Sequence, residues 1–320
     1  MKKIKSTILN LNATDLLVVI FTSLLSLTAI VFNSSVNYWK EIVVINLFLQ
    51  LFIFAIAYFD EHKRSMFTHQ LRFWYLVPMI LLVFKEVYYM VDPIRGMTYD
   101  QLLIDIDRFL FGTDPTYVLY NIANPYLTEL LQIVYGTFFF LPIILGISLL
   151  FKGKKRELRY MAFIIVLGFY LSYIGYFLLP AIGPRFTLHD FALNDIEIPG
   201  LFLTDFLREV VNIGESIPKG TPNPAEVVQR DAFPSGHTQM TLLVMYLSIK
   251  FKSRSKYFFI PNGTLLIFAT VYLRYHYVID LIAGAAFMIL TLWLGKHLFN
   301  WWMEIRGDEK FYLDKIQMTP

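Results

Sequence analysis

Eight stretches of nearly unbroken apolar residues, near 14–33, 41–59, 73–91, 129–151, 159–180, 237–250, 257–273 and 276–298, follow one another along the chain. At about 1.5 Å of rise per residue, such stretches approach or cross a hydrocarbon layer roughly 30 Å thick. The pattern predicts an all-α polytopic membrane protein with about eight transmembrane helices. Two further stretches are amphipathic instead. In 99–112, Leu102, Leu103, Ile106, Phe109 and Leu110 recur at helical spacing opposite Asp100, Asp105, Asp107 and Arg108, and 201–213 looks similar. Both predict helices lying in the membrane interface, either as a hydrophobic rim through which a lipid reaches a site or as surface-packed connectors. Residues 214–231, rich in Pro, Gly and polar groups, predict a loop.

Composition agrees with a membrane protein. Of 320 residues, 56% are hydrophobic and 17% charged, and a net charge of +3 is too small to point to nucleic acid. Cysteine is absent, which excludes disulfides, thiolate metal sites and cysteine nucleophiles. The basic residues are unevenly placed: with the N-terminus inside, nineteen fall on inner segments and eight on outer ones. That asymmetry predicts both termini in the cytoplasm. Met1-Lys2-Lys3-Ile4-Lys5 opens a long apolar stretch with no small-x-small cleavage pattern, and reads as the flank of a retained first span.

The chemistry is concentrated in two short polar motifs, Phe233-Pro234-Ser235-Gly236-His237 and, thirty-nine residues after that histidine, His276-Tyr277-Val278-Ile279-Asp280. The topology puts both on the outer side. Ser235 can cap the following helix, Gly236 permits close backbone approach, and a phosphate there would meet free N–H groups at a helix N-terminus. His276 and Asp280 are one helical turn apart, so the carboxylate can hold one imidazole nitrogen and leave the other as nucleophile. Two histidines and a carboxylate at one membrane edge suit phosphoryl transfer through a phosphohistidine.

Pro-Ser-Gly-His followed by His-x-x-x-Asp resembles the type 2 phosphatidic acid phosphatase superfamily of membrane lipid phosphatases and phosphotransferases. The resemblance implies a six-helix core, here residues 73–298, preceded by two additional N-terminal helices in 1–72 and followed by a cytoplasmic tail, 299–320. It implies His276 as nucleophile, Asp280 as its orienting base and His237 as the acid protonating the leaving oxygen, with Ser235 and Gly236 holding the phosphate. The first family motif is incomplete: Leu178 stands where its lysine would, leaving Arg185. Thr270 stands where the third motif usually has arginine, and Arg274 lies two residues before His276. Phosphate neutralisation is then expected from Arg185 and Arg274, with Arg230 as a further candidate.

His-Tyr-x-x-Asp, with Asp231 six residues before His237, is similar to the transferase branch of sphingomyelin synthases and fungal inositol phosphorylceramide synthases. The partners implied are a membrane lipid substrate of the phosphatidate, phosphatidylinositol or polyprenyl phosphate class and a lipid alcohol acceptor. No cofactor or metal is expected, since the motifs hold no dense carboxylate cluster for magnesium. The competing readings are a metalloenzyme ligated by His237, His276 and Asp280, and a non-catalytic lipid-phosphate transporter or scaffold. Lys85 and Glu86, charged within the third stretch, read as a structural pair or a snorkelling lysine.

Overall fold

The computed structural model describes residues 7–63 and 65–313. Lys2, Lys3, Lys5, Arg64 and Lys315, which contribute to the basic asymmetry, lie outside the described residues, as does the end of the expected tail. Within them the regular elements are all helical. In chain order they are α1 (Ala13–Val31), α2 (Trp39–Lys63), α3 (Met66–Trp74), α4 (Leu76–Arg95), α5 (Asp100–Phe111), α6 (Pro115–Tyr120), α7 (Pro125–Gly136) and α8 (Phe140–Phe151). There follow α9 (Lys155–Leu178), α10 (Pro184–Thr187), α11 (Asn194–Glu197), α12 (Thr204–Gly214), α13 (Pro224–Val227), α14 (Gly236–Lys250), α15 (Lys256–Tyr272) and α16 (Val278–Arg306).

All eight apolar stretches fold as helix, in keeping with an all-α polytopic membrane protein, and five or six segments have the length and apolarity of a full span against the roughly eight expected. Among the described residues, five helical segments are long and apolar enough to cross a membrane: α1, α2, α3 with α4, α9 and α16. A sixth is counted if α7 and α8, bent by 54° at their junction, form one broken span. The remaining two, α14 with 15 residues and α15 with 17, are shorter. At about 1.5 Å per residue they reach only some 22–26 Å.

The chain forms two compact units. The first comprises residues 1–96, 153–170 and 290–320, and the second residues 97–152 and 171–289. In the first unit α1 packs against α2, and a buried ionic network ties four segments together. Asn12 and Asp15 cap α1 reciprocally, at 2.8 and 3.1 Å. Asp15, fully buried, also accepts from Arg72 Nε at 2.8 Å and from the Tyr75 hydroxyl at 2.9 Å. Arg72 donates further to Asp60 and to the Asn10 carbonyl. Arg306 and Trp302 both donate to the Leu11 carbonyl, which anchors the end of α16 to the start of α1.

Lys85 and Glu86, expected as a structural pair or a snorkelling lysine, turn to different neighbours in the described contacts. Glu86 is buried and accepts from Asn46 Nδ2 of α2 at 2.9 Å, while the Lys85 ammonium lies 5.4 Å from the Tyr88 ring centroid. Consecutive helical residues point about 100° apart, so the two cannot share a face.

In the second unit α14 and α15 form a helical hairpin, with α7 against α15, α12 against α7 and α8 against α14. The break between α7 and α8 coincides with a side-chain contact from α15. Thr137 turns its hydroxyl back to the Val134 carbonyl at 2.6 Å and accepts from Asn262 of α15 at 2.9 Å, replacing regular ladder bonds at that turn. Helix α12 begins three residues later than its apolar pattern because Glu129 of α7 gathers the N–H groups of Leu201, Phe202, Leu203 and Thr204 at 2.7–3.3 Å.

Asp15→Ala should destabilise the protein by about 3 kcal/mol, because it removes the most buried of the carboxylates around Arg72 and leaves Asp60 and the more distant Glu61. A thermal-unfolding midpoint in detergent equal to that of the parent would contradict this role for Asp15.

Candidate active site

The second unit brings the two polar motifs together at three loops, 180–185, 231–235 and 273–280, whose backbones bond to one another. Ala232 N donates to Ala181 O, Ser235 N to Asp280 O, and Arg185 N to Arg274 O, each at 3.0 Å. Gly183 makes the closest crossing: its φ is +90°, and a Cβ there would stand 2.6 Å from the Tyr275 carbonyl oxygen.

Helix α15 ends in a way that delivers the second motif. Arg274 N donates to Val271 O and Tyr275 N to Thr270 O, with Arg274 left-handed at φ +65°. This is the Schellman ending, in which glycine is usual at the left-handed position. An arginine there costs on the order of 1 kcal/mol. The turn also sends the His276 N–H to Thr270 O at 3.0 Å and points its ring inward.

His276, 4% exposed, is held at both nitrogens. Nδ1 lies 2.9 Å from the Ala232 carbonyl oxygen and 3.3 Å from Asp280 Oδ2, and Nε2 lies 3.3 Å from His237 Nδ1. A carbonyl oxygen can only accept, so the network assigns the proton to His276 Nδ1 and leaves the Nε2 lone pair facing His237 Nδ1–H. Asp280 is fully buried, and its Oδ2 also accepts from Tyr277 N at 2.9 Å. His237 is wedged between Phe138, at 4.2 Å between centroids, and Tyr135, stacked at 4.7 Å. Phe138 sits at the α7–α8 break, so the bend places an aromatic wall beside the site. His237 and Asp280 approach opposite edges of the His276 ring, an arrangement in which the three do not converge on one ion.

Ser235 caps α14, its Oγ accepting from Thr238 N at 3.1 Å. No described hydrogen bond uses the N–H of Gly236 or His237. Two donors at the positive end of a helix therefore adjoin the histidine pair, the arrangement that binds phosphate oxygens. Asp231 lies close enough for its charge to act on Tyr135, Tyr173 and Tyr176.

The arginines are already engaged. Arg185, 3% exposed, donates through Nη1 to Asn212 Oδ1 at 2.9 Å and through Nη2 to Glu215 Oε2, with its guanidinium 4.7 Å from the Tyr275 ring centroid. The charges of Arg185 and Glu215 both reach His276. Arg274 instead donates to Asn194 at 3.3 Å and to Glu197, with Tyr120 beneath it. None of these described contacts is with the histidine pair. Arg230 donates to the carbonyls of Ala225, Glu226 and Val228. His189 bonds Thr116 at 2.8 Å, and burial together with the Arg274 charge lowers its pKa to about 4.

Helix α5 corrects the amphipathic reading. Leu102, Phe109 and Leu110 are exposed as expected, but Asp100 and Asp107 turn inward and are buried. Asp100 accepts from Ile182 N, Gly183 N and the Tyr277 hydroxyl at 2.9–3.1 Å. Asp107 accepts from Val278 N and Ile279 N at 2.8 Å, capping α16 two residues beyond His276. Burial pushes the Asp107 carboxyl up, and these two N–H donors pull it back. The sequence signal was present in the seven-residue spacing, which places Asp100 and Asp107 on one helix face beside the buried Leu103 and Ile104.

A family model described as the PAP2 superfamily matches residues 101–294, a range that contains all three loops. No curated protein and no solved structure matches the chain.

Asp107→Ala should cost about 1–2 kcal/mol through loss of the cap. Asp107→Asn, which keeps one acceptor oxygen, should recover part of it. Equal unfolding midpoints for Asp107→Ala and the parent would show that the cap does not hold the loop.

Proposed function

Because the chain belongs to the PAP2 superfamily, we propose that this multi-pass membrane protein cleaves or transfers a lipid phosphate ester through a phosphohistidine. The observation that carries the reading is the His276 ring, fixed at Nδ1 by the Ala232 carbonyl and Asp280, with Nε2 facing His237. In this reading a phosphoryl group enters between the two histidines, and the pair opens to admit it. His276 Nε2 attacks phosphorus, the P–O bond to the alcohol breaks, and His237 gives its proton to the leaving oxygen. Asp280 stabilises the positive charge that develops on the ring. In the second half, His237 takes a proton from the acceptor, whose oxygen attacks phosphorus and releases His276. Water as acceptor makes the protein a phosphatase, and a lipid hydroxyl makes it a transferase. The N–H groups of Gly236 and His237 and the Arg185 guanidinium bind the phosphoryl oxygens.

The His276-Tyr277-x-x-Asp280 sequence favours transfer as the second reading, with an inositol phosphate or other phospho-headgroup passed to a ceramide- or diacylglycerol-like alcohol. Substrates are of the phosphatidate, phosphatidylinositol or polyprenyl phosphate class. The basic asymmetry supports a site on the outer face of a bacterial inner membrane or equivalent, with cytoplasmic termini.

Purified protein in mixed micelles, given radiolabelled phosphatidate or phosphatidylinositol with and without acceptor, separates these readings. Free phosphate from phosphatidate is the expected product of hydrolysis, and acceptor-dependent labelled lipid that of transfer; His276→Ala should abolish either. Turnover retained in His276→Ala would overturn the mechanism. The pH profile of kcat should be bell-shaped between about pH 5 and 8, since one histidine must be neutral and the other protonated. A flat profile there would contradict that division of roles.

A further inference from the structure

Two matching clamps hold the two arginines that flank the catalytic loops. Arg185 is taken by Asn212 and Glu215, and Arg274 by Asn194 and Glu197. In each clamp the amide and the carboxylate are three residues apart, on one side of a helical turn. The first clamp is tied to the histidine pair by stacked rings: the Arg185 guanidinium lies 4.7 Å from the Tyr275 ring centroid, Tyr275 stacks on Tyr135 at 4.5 Å, and Tyr135 stacks on His237 at 4.7 Å.

Resting on the phosphoryl-transfer reading, we propose that Glu215 is a specificity-determining residue whose carboxylate occupies Arg185 in place of a phosphate and is displaced by the phosphoryl group of the substrate. A bare guanidinium at this depth would be costly, and the carboxylate removes that cost until another anion arrives. Exchange then swaps one anion for another, so the buried cation is never unpaired.

The local structure lets Glu215 withdraw. It follows the last residue of α12, its side chain is 19% exposed, and the next residue, Ser216, is left-handed at φ +68°. Asn212 lies within α12 and stays on Nη1, keeping Arg185 aimed while Nη2 changes partner. Competition from a carboxylate favours a doubly charged phosphate over a singly charged one, because the stronger anion displaces it more readily.

The test measures binding of inorganic phosphate by calorimetry to the full chain in detergent, on a His276→Ala background so that turnover plays no part. Glu215→Gln should tighten the dissociation constant about tenfold, and adding Arg185→Gln should abolish the gain. Glu215→Asp, which keeps the charge on a shorter arm and guards against a folding defect in the amide variant, should fall between. An unchanged or weaker phosphate affinity in Glu215→Gln would overturn the proposal, as would a gain that survives Arg185→Gln. Failure of the lipid assay with the parent protein would bear on the phosphoryl-transfer reading alone, since phosphate binding requires no catalysis.

Discussion

The site depends on the pairing of backbone polar groups in three irregular loops that meet among apolar helices. Unpaired N–H and C=O groups in such surroundings cost several kcal/mol each. Here the loops bond one another at three backbone pairs, and Asp100 and Asp107 of α5 take the N–H groups of Ile182, Gly183, Val278 and Ile279. The geometry of the histidines follows from that pairing. The Ala232 carbonyl that fixes the His276 tautomer is on the residue whose N–H bonds Ala181, and the Asp280 carbonyl receives Ser235 N at the other motif. A change in one loop therefore reaches the reacting nitrogens through the backbone.

Charge is treated in the same way. Arg72 in the first unit and Arg185 and Arg274 in the second are buried, and each has a carboxylate. In the first unit the pairing closes a network of helix ends. In the second it keeps Arg185 and Arg274 oriented on the two loops that bond each other through Arg185 N and Arg274 O, and under the proposed exchange an anion that replaces the Glu215 carboxylate meets an arginine already aimed.

Much of this was legible in the sequence. Apolar stretches gave the helices, and the His276–Asp280 spacing gave a contact that the structure makes. The lengths of α14 and α15 were visible too, as the two shortest of the eight apolar stretches. The partners of Arg185 and Arg274 were not legible, because Asn212 and Glu215 sit in an amphipathic stretch and a polar loop, and Asn194 and Glu197 in a stretch without a pattern, none of which tells what it packs against. The seven-residue spacing of Asp100 and Asp107 put them on one helix face, but an amphipathic pattern assigns carboxylates to water, and the loop N–H groups that draw them inward are a tertiary feature. The break between α7 and α8 contains no proline, and it coincides with a side-chain bond from Asn262, far away in sequence.

The central claim, that His276 Nε2 carries the phosphoryl group, is tested most directly by trapping. Protein mixed with phosphatidate labelled in its phosphate, quenched within the first turnovers and digested, should yield a peptide containing His276 whose label is stable in alkali and lost in acid. Label on another residue, or none while lipid is being turned over, would contradict the account.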